Sequence, residues 1–339
     1  MKCQGFLCRM VMVFIWIGLG LGTPWAVAAL GFDVRIAWLR APLVVAYLVA
    51  LVTVVMSVRN PWKTIWLAVG VLLVLAWWLT LQPSNTGNWQ PDVAVLPYAD
   101  INGNQVTIHN IRNCDYRTET DYTVQHYDKT FDLNQLRTVD LYLVTWGSPY
   151  IAHTMVSFGF TGGDYVCFSI ETRKQMGQEY SAVRGFYRQF ELTCVIADER
   201  DVVRLRTNYR TDNEQACLYR LQVTPDQGRK LFLEYLRRAN ELRTHAEWYN
   251  AVTDNCTTAI RAQRAAADRT PWDLRMLLNG HLDELLYERG MIVTNLPFAE
   301  LKQLSNINAR AGLADRAADF SQQIRKGLPG FDDGPAPVH

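Results

Sequence analysis

Three apolar stretches without a charged side chain open the sequence: Met10–Phe32, Ala41–Val58 and Thr64–Leu81. Each has the length at which a helix crosses a hydrocarbon core of roughly 30 Å, for which about 17–25 residues suffice. Trp62, Trp66, Trp77 and Trp78 fall toward the ends of the third stretch, where amphipathic rings favour the membrane interface. Beyond a Pro/Asn/Gly-containing linker over 82–99 the pattern changes to short runs rich in β-branched and aromatic residues. Asp140–Trp146, Thr154–Phe160, Tyr165–Glu171, Glu191–Ile196, Val202–Arg206 and Cys217–Val223 read as strands, with Gly162-Gly163 as a hairpin turn. Helical signals follow. Thr224-Pro225-Asp226-Gln227 combines an N-cap, Pro at the first helical position and Gln at the capping-box position, opening a helix to about Leu242. A second helix is expected from Asn255 or Cys256, and shorter ones over 282–289 and 298–305. Strands first and helices after give an α+β domain behind N-terminal transmembrane helices. The expected division is a membrane segment over 1–82, a linker and domain start over 83–110, the outer domain over 111–310 and a frayed tail over 311–339.

The first stretch has two readings. Lys2 and Arg9 precede an apolar run, and Ala26-Val27-Ala28 follows Pro24, which is the pattern of a cleavable signal peptide. The same residues suit a retained helix, and Gly18-x-x-x-Gly22 gives it a small-residue packing spacing. Both readings carry the following domain to the outer side. Arg59 and Lys63 fall in the inner loop, and no Lys or Arg occurs from Thr64 to Ile111, in line with the positive-inside rule. Arg35 and Arg40 in the outer loop run against it.

Over 339 residues the 34 basic and 33 acidic side chains nearly cancel, but residues 1–82 hold six basic groups against Asp33 alone, and seven of the eleven tryptophans. A uniformly soluble protein is excluded. Basic residues are scattered and no segment is strongly cationic, so no nucleic acid is expected as a partner.

Two residues carry candidate chemistry. Cys256, in YNAVTDNCTTAIR, follows the cap Asp254-Asn255, where the helix dipole and unpaired amides favour a thiolate and offer an oxyanion hole. His153, in SPYIAHTMVSFGF, opens a strand and is a candidate to take and return the thiol proton. Set against this, a helical Cys is commonly a small buried hydrophobe. Alternation along Tyr165–Glu171 puts Cys167, Ser169 and Glu171 on one face and Val166, Phe168 and Ile170 on the other. Glu171 is the first candidate to orient the imidazole and Ser169 the second, with an ion pair from Glu171 to Arg173 or another arginine as the competing reading. Asn255, Ser169 and Arg173 are the candidates for substrate contact.

Five motifs in order, IHNIRNCDYRTETDY, IAHTMVSFGF, FSIETRK, ADERDVVRLRTNYR and EWYNAVTDNCTTAIR, resemble the Lnb N-terminal periplasmic domain family over about Trp89–Arg264. That family is similar to circularly permuted papain-like enzymes, akin to NlpC-type peptidases and the lecithin retinol acyltransferase group, in which the His-bearing strands precede the Cys-bearing helix. The order His153 then Cys256 matches. Its namesake members are membrane-anchored bacterial lipoprotein N-acyltransferases, whose helices follow the periplasmic domain rather than precede it. The resemblance implies Cys256 as nucleophile and His153 as base.

Asp198, Glu199, Arg200 and Asp201 with Arg204, Arg206 and Arg210 are expected as ion pairs along strands, or alternatively as a cationic rim for phospholipid headgroups. Arg112 and Arg117 are open to the same two readings. His109, His126, His245 and His281 have no metal-ligand spacing, so neither metal nor cofactor is expected. Five cysteines lie in the domain (Cys114, Cys167, Cys194, Cys217, Cys256), an odd number that fits one free thiol and up to two disulfides. The expectation is a multi-pass protein of the bacterial inner membrane with a periplasmic Cys–His enzyme domain, acting through a thioester on a phospholipid or lipoprotein. A cell-wall peptide amidase or peptidase is the alternative among enzymes, and a non-catalytic envelope scaffold the alternative outside them.

Overall fold

The computed structural model describes residues 6–210, 214–250, 271–276 and 279–331. Asn255, Cys256 and the helix expected from them lie outside the described residues. The chain forms two compact units: residues 1–83 with 181–190, and residues 84–180 with 191–339.

The first unit holds α1 (Phe6–Asp33), α2 (Ala37–Ser57) and α3 (Trp62–Leu79). Each helix is long and apolar enough to cross a membrane. α1 packs against both others, and its fully buried Ala26 and Ala29 join Leu30, Val34 and Val74 in a small core. Small side chains let helices approach closely where lipid leaves no hydrophobic gain from association. A methyl group added at Gly22 would sit 3.0 Å from Val71, whereas Gly18 faces open space, so only one glycine of the pair makes a close approach.

The far ends of α1 and α3 are joined through Asp33. Its carboxylate accepts from the Trp78 indole at 2.7 Å and from the Gln189 amide at 2.6 Å. Gln189 also donates to the Phe32 carbonyl, while Arg188 donates to the carbonyls of Trp78 and Leu81 and stacks on the Trp78 ring at 4.1 Å. Carbonyls at a helix C-terminus have no partner within the helix, and these two side chains answer them.

The second unit is built on one mixed sheet. Its strands are β1 (Tyr98–Asn102), β2 (Gln105–Arg112), β5 (His126–Asp132), β6 (Leu136–Trp146), β7 (Ser148–Phe160), β8 (Tyr165–Arg173), β9 (Glu191–Ala197) and β10 (Gln215–Arg220), with β3 (Asp115–Tyr116) and β4 (Tyr122–Thr123) forming a separate ribbon. The order is β1-β2-β9-β8-β7-β6-β10, and β5 pairs with β2. From β6 through β9 the pairing is antiparallel, as hairpin connections allow. Gly162 and Gly163, both at positive φ, make the turn between β7 and β8.

Side chains alternate between two cores. Phe158, Phe168 and Ile170 face α5 (Pro225–Thr244), where Phe232 meets the rings of Phe158 and Phe168 edge to face and Tyr235 packs beside them. Thr224 and Gln227 close the expected capping box at the start of α5. On the opposite face Tyr142, Met155, Cys167 and Val195 pack with α4 (Glu199–Arg204) and the C-terminal segments. Among the described residues, further short α-helices are α6 (Leu282–Glu288), α7 (Phe298–Leu304), α8 (Asn308–Leu313) and α9 (Phe320–Gln323).

Three expectations change. Val202–Arg206 is not a strand but continues α4 into a π-type turn, Leu205–Tyr209. Val202-Val203 favours a strand locally, but Asp198 caps the Arg200 amide and starts a helix instead. The stretch read as a tail supplies Ala311, Ala314, Phe320, Ile324 and Leu328 to the second core. The four described cysteines of the domain are buried thiols rather than disulfides. Burial pushes the Cys114 thiol up to about 12, which keeps it protonated.

Arg325 anchors that C-terminal stretch. It donates to both Glu199 oxygens (2.6 and 2.7 Å) and to Asp140 (2.9 Å), and all three side chains are buried. Removing one member of a buried ion pair leaves an unanswered charge, so Arg325→Ala is expected to destabilise the protein by about 3–5 kcal/mol. Denaturant titration of the purified full chain in detergent measures this. A loss below about 1 kcal/mol, the scale of an exposed pair, would contradict the buried network.

Candidate active site

The candidate site lies on the α4 face of β7 and β8. The Met155–Ser169 pair of the ladder brings His153 and Glu171 next to each other along that face. His153 Nε2 is 2.6 Å from Ser169 Oγ and 3.3 Å from Glu171 Oε1. Ser169 Oγ donates to Glu171 Oε1 at 2.8 Å. A hydroxyl that gives its proton to a carboxylate must accept from the ring, so the network assigns the proton of His153 to Nε2. Nδ1 then carries the free lone pair.

Arg206 completes the array from the π-type turn. It donates to Glu171 Oε1 at 3.1 Å and to Glu214 at 3.4 Å, and Arg210 donates to the other oxygen of Glu214 at 2.8 Å. The His153 side chain is only 12% exposed and that of Arg206 only 5%. Burial, then the charge of Arg206, pulls the imidazole below its ordinary range, although Glu171 pulls the other way. Burial alone would raise the Glu171 carboxyl, but attraction to the protonated form of His153 and to the Arg206 guanidinium outweighs it and holds the group well below the usual carboxylate range; with the ring neutral, Arg206 is the cation beside it. The result is a neutral imidazole beside a fixed carboxylate.

A second set of contacts holds the strand end. The Ala152 amide donates to the buried Asn279 side chain at 2.9 Å. At Gly280 an added methyl would lie 2.1 Å from the Pro149 carbonyl oxygen, so only glycine permits the segment to pass this close.

Of the residues singled out in the sequence, His153, Ser169 and Glu171 come together. Ser169 is 1% exposed and is spent on the relay rather than presented to a substrate. Arg173 is placed differently from the expectation of substrate contact. It is 2% exposed, donates to the carbonyls of Val93 and Ala94 and to Asn85, and stacks on Trp89 at 4.3 Å. Burial draws it down to about 10, and its role is to fasten the linker to the sheet. The partner of Glu171 is Arg206 instead. Arg112 is likewise internal, forming a two-pronged pair with Asp201 at 2.8 and 2.9 Å. Arg204 donates to Asp115. Arg112, Arg204 and Arg206 are thus buried and ion-paired, while Arg117 and Arg200, paired with Asp121 and Asp198, are more exposed. Arg206, Glu214 and Asn279 were not singled out as site residues; the charged ADERDVVRLRTNYR motif was the available signal for Arg206.

This geometry lies inside a recognisable region. Residues 122–280 match the family model of the Lnb N-terminal periplasmic domain. The match covers just under half of the chain and includes His153, Ser169, Glu171, Arg206 and Asn279. The resemblance read from five motifs is thus shown, and the region similar to the Lnb N-terminal periplasmic domain follows three membrane-compatible helices in the sequence. Comparison with curated proteins and with solved structures gave no match.

The relay makes the sheet domain acid-sensitive. His153 resists protonation when folded but takes a proton near 6.5 when unfolded, so its contribution is present above that pH and falls as pH drops below it. Glu171 is held below its ordinary 4.5, so its contribution is lost as pH falls through and below that value. Stability of the full chain in detergent is therefore expected to decline from about pH 7 to pH 5. His153→Asn is expected to flatten that limb specifically. An unchanged slope in this variant would show that the ring is not held neutral.

Proposed function

We propose that the Lnb-type domain is a thiol enzyme of the cell envelope that acts on acyl groups, with Cys256 as nucleophile and His153 as base. The observation that carries this reading is the His153–Ser169–Glu171 relay, which puts the lone pair of a neutral imidazole on Nδ1, the ring atom able to accept a proton. A base of this kind is what an activated cysteine requires. The proposed domain is a permuted papain-like one, and Asn255 and the amides of the Cys256 turn are its proposed oxyanion donors.

In the proposed reaction Nδ1 takes the Cys256 thiol proton and the sulfur attacks an ester carbonyl of a phospholipid. Collapse of the tetrahedral adduct breaks the bond to the alcohol oxygen, which receives the proton from the imidazolium. The acyl thioester is then attacked by an amine, of a lipoprotein in the favoured case, forming an amide and releasing the sulfur. His153 takes the amine proton and returns it to the departing sulfur, restoring the thiol and the neutral ring. Glu171 keeps the ring in its productive tautomer and stabilises it when charged, with Arg206 holding that carboxylate in place. Anchoring to the membrane raises the effective concentration of a lipid substrate. The placement that serves this chemistry is a multi-pass anchor in the bacterial inner membrane with the domain in the periplasm.

Purified full-length protein incubated with phospholipid is expected to gain a fatty-acyl mass on the peptide containing Cys256, removable by hydroxylamine. Cys256→Ala is expected to abolish the adduct and His153→Ala to slow its formation by about 10²–10⁴-fold, the range of a positioned general base. Release of peptide from cell-wall fragments without acylation would instead favour an amidase. Full complementation of a deletion strain by both variants would favour a scaffold. The topology has its own test: reporters fused after Asn88 should be active only outside the cytoplasm, and a cytoplasmic signal there would overturn the placement.

A further inference from the structure

Residues 181–190 lie in the sequence between β8 and β9 yet belong to the unit of the three apolar helices. Their backbone is short and irregular, with a single helical turn over Arg184–Phe186. What fixes them is contact with helix ends. Arg188 and Gln189 bind the carbonyls of Trp78, Leu81 and Phe32 and the carboxylate of Asp33. Tyr187 meets the Phe32 ring edge to face at 5.2 Å, and Arg184 lies over the same ring at 5.9 Å. The segment is thereby held level with the last turns of α1 and α3.

At that level the segment shows an arrangement that water does not favour. Val183 is 59% exposed and Phe186 49% exposed, on either side of the exposed Arg184. Trp25, Trp77 and Trp78 lie in or beside the small core of the same unit. Apolar side chains that point outward between cationic and aromatic neighbours, beside the ends of membrane-spanning helices, match the boundary of acyl chains and headgroups.

We infer that Ser181–Gln189 is an interfacial insert whose partner is the lipid of the leaflet in which α1 and α3 end. Val183 and Phe186 enter the acyl boundary, and Arg184 remains at the level of the phosphates, its aliphatic stem lying along the apolar layer. Arg188 is already committed to the helix carbonyls and acts as the tether. The inference does not rest on the proposed chemistry at Cys256, because the contacts that fix the insert, to Phe32, Asp33, Trp78 and Leu81, are with the apolar helices and the residues that follow them.

The test uses the full chain in vesicles of phosphatidylethanolamine and phosphatidylglycerol, with a photoreactive phenylalanine analogue at Phe186. This change keeps an aromatic ring at an exposed position. The same analogue at Val49, exposed on α2, calibrates contact with acyl chains. Irradiation is expected to give lipid adducts at position 186 within a few-fold of those at position 49, and unchanged in a Cys256→Ala background. Adducts no more frequent than in irradiated unmodified protein, or crosslinks to protein instead of lipid, would overturn the inference. Loss of acyl transfer with intact lipid adducts would count against the proposed chemistry alone.

Discussion

Charge buried in a protein interior must be answered by charge, and this requirement organises the sheet domain around one short element. Glu199, Asp201, Arg204 and Arg206 are all buried within α4 and the turn that continues it. Their partners come from distant parts of the sequence: Arg325 for Glu199, Arg112 for Asp201, Asp115 for Arg204, and Glu171 with Glu214 for Arg206. Desolvating an ion costs several kcal/mol, which a well-placed partner recovers only in a narrow geometry. The element therefore acts as a set of pins that fixes β2, β8, the β10 approach and the C-terminal helices against one face.

The same requirement prepares the candidate base. An imidazole near a carboxylate would normally gain proton affinity, which would leave a protonated ring unable to accept a proton at neutral pH. Burial reverses that tendency, and Arg206 adds to it by claiming Glu171 and placing positive charge near the ring. Ser169 stands between the two and turns a potential ion pair into a directional hydrogen-bonded chain. The orientation of His153 is set without charging it.

Much of this was legible in the sequence because it rests on local periodicity. Alternation along Tyr165–Glu171 separated Ser169 and Glu171 from Phe168 and Ile170, and the structure has the same two faces. The capping box at Thr224 and the turn at Gly162-Gly163 depend on neighbours in sequence and were readable for that reason. Val202–Arg206 was misread because β-branched residues outweighed a capping aspartate, and enclosure of the helix buries nearly every position, erasing its period. The role of Arg206 depends on a partner 35 residues away, and that of Arg325 on one 126 residues away. No pattern within a segment encodes such pairings. Arg173 shows the converse: a charged residue next to the relay in sequence is absorbed by the backbone of a linker.

The hold of Asn279 on the Ala152 amide has a consequence in time as well as in space. A chain made from its N-terminus presents the His153 strand long before residue 279 emerges, and Glu199 long before Arg325 does. Until those late residues arrive, the strand end lacks its clamp and α4 lacks an answer to its innermost carboxylate. A half-made chain thus carries the residues of the relay without the frame that aligns them. The order of synthesis itself delays assembly of the relay until nearly the whole domain has been made.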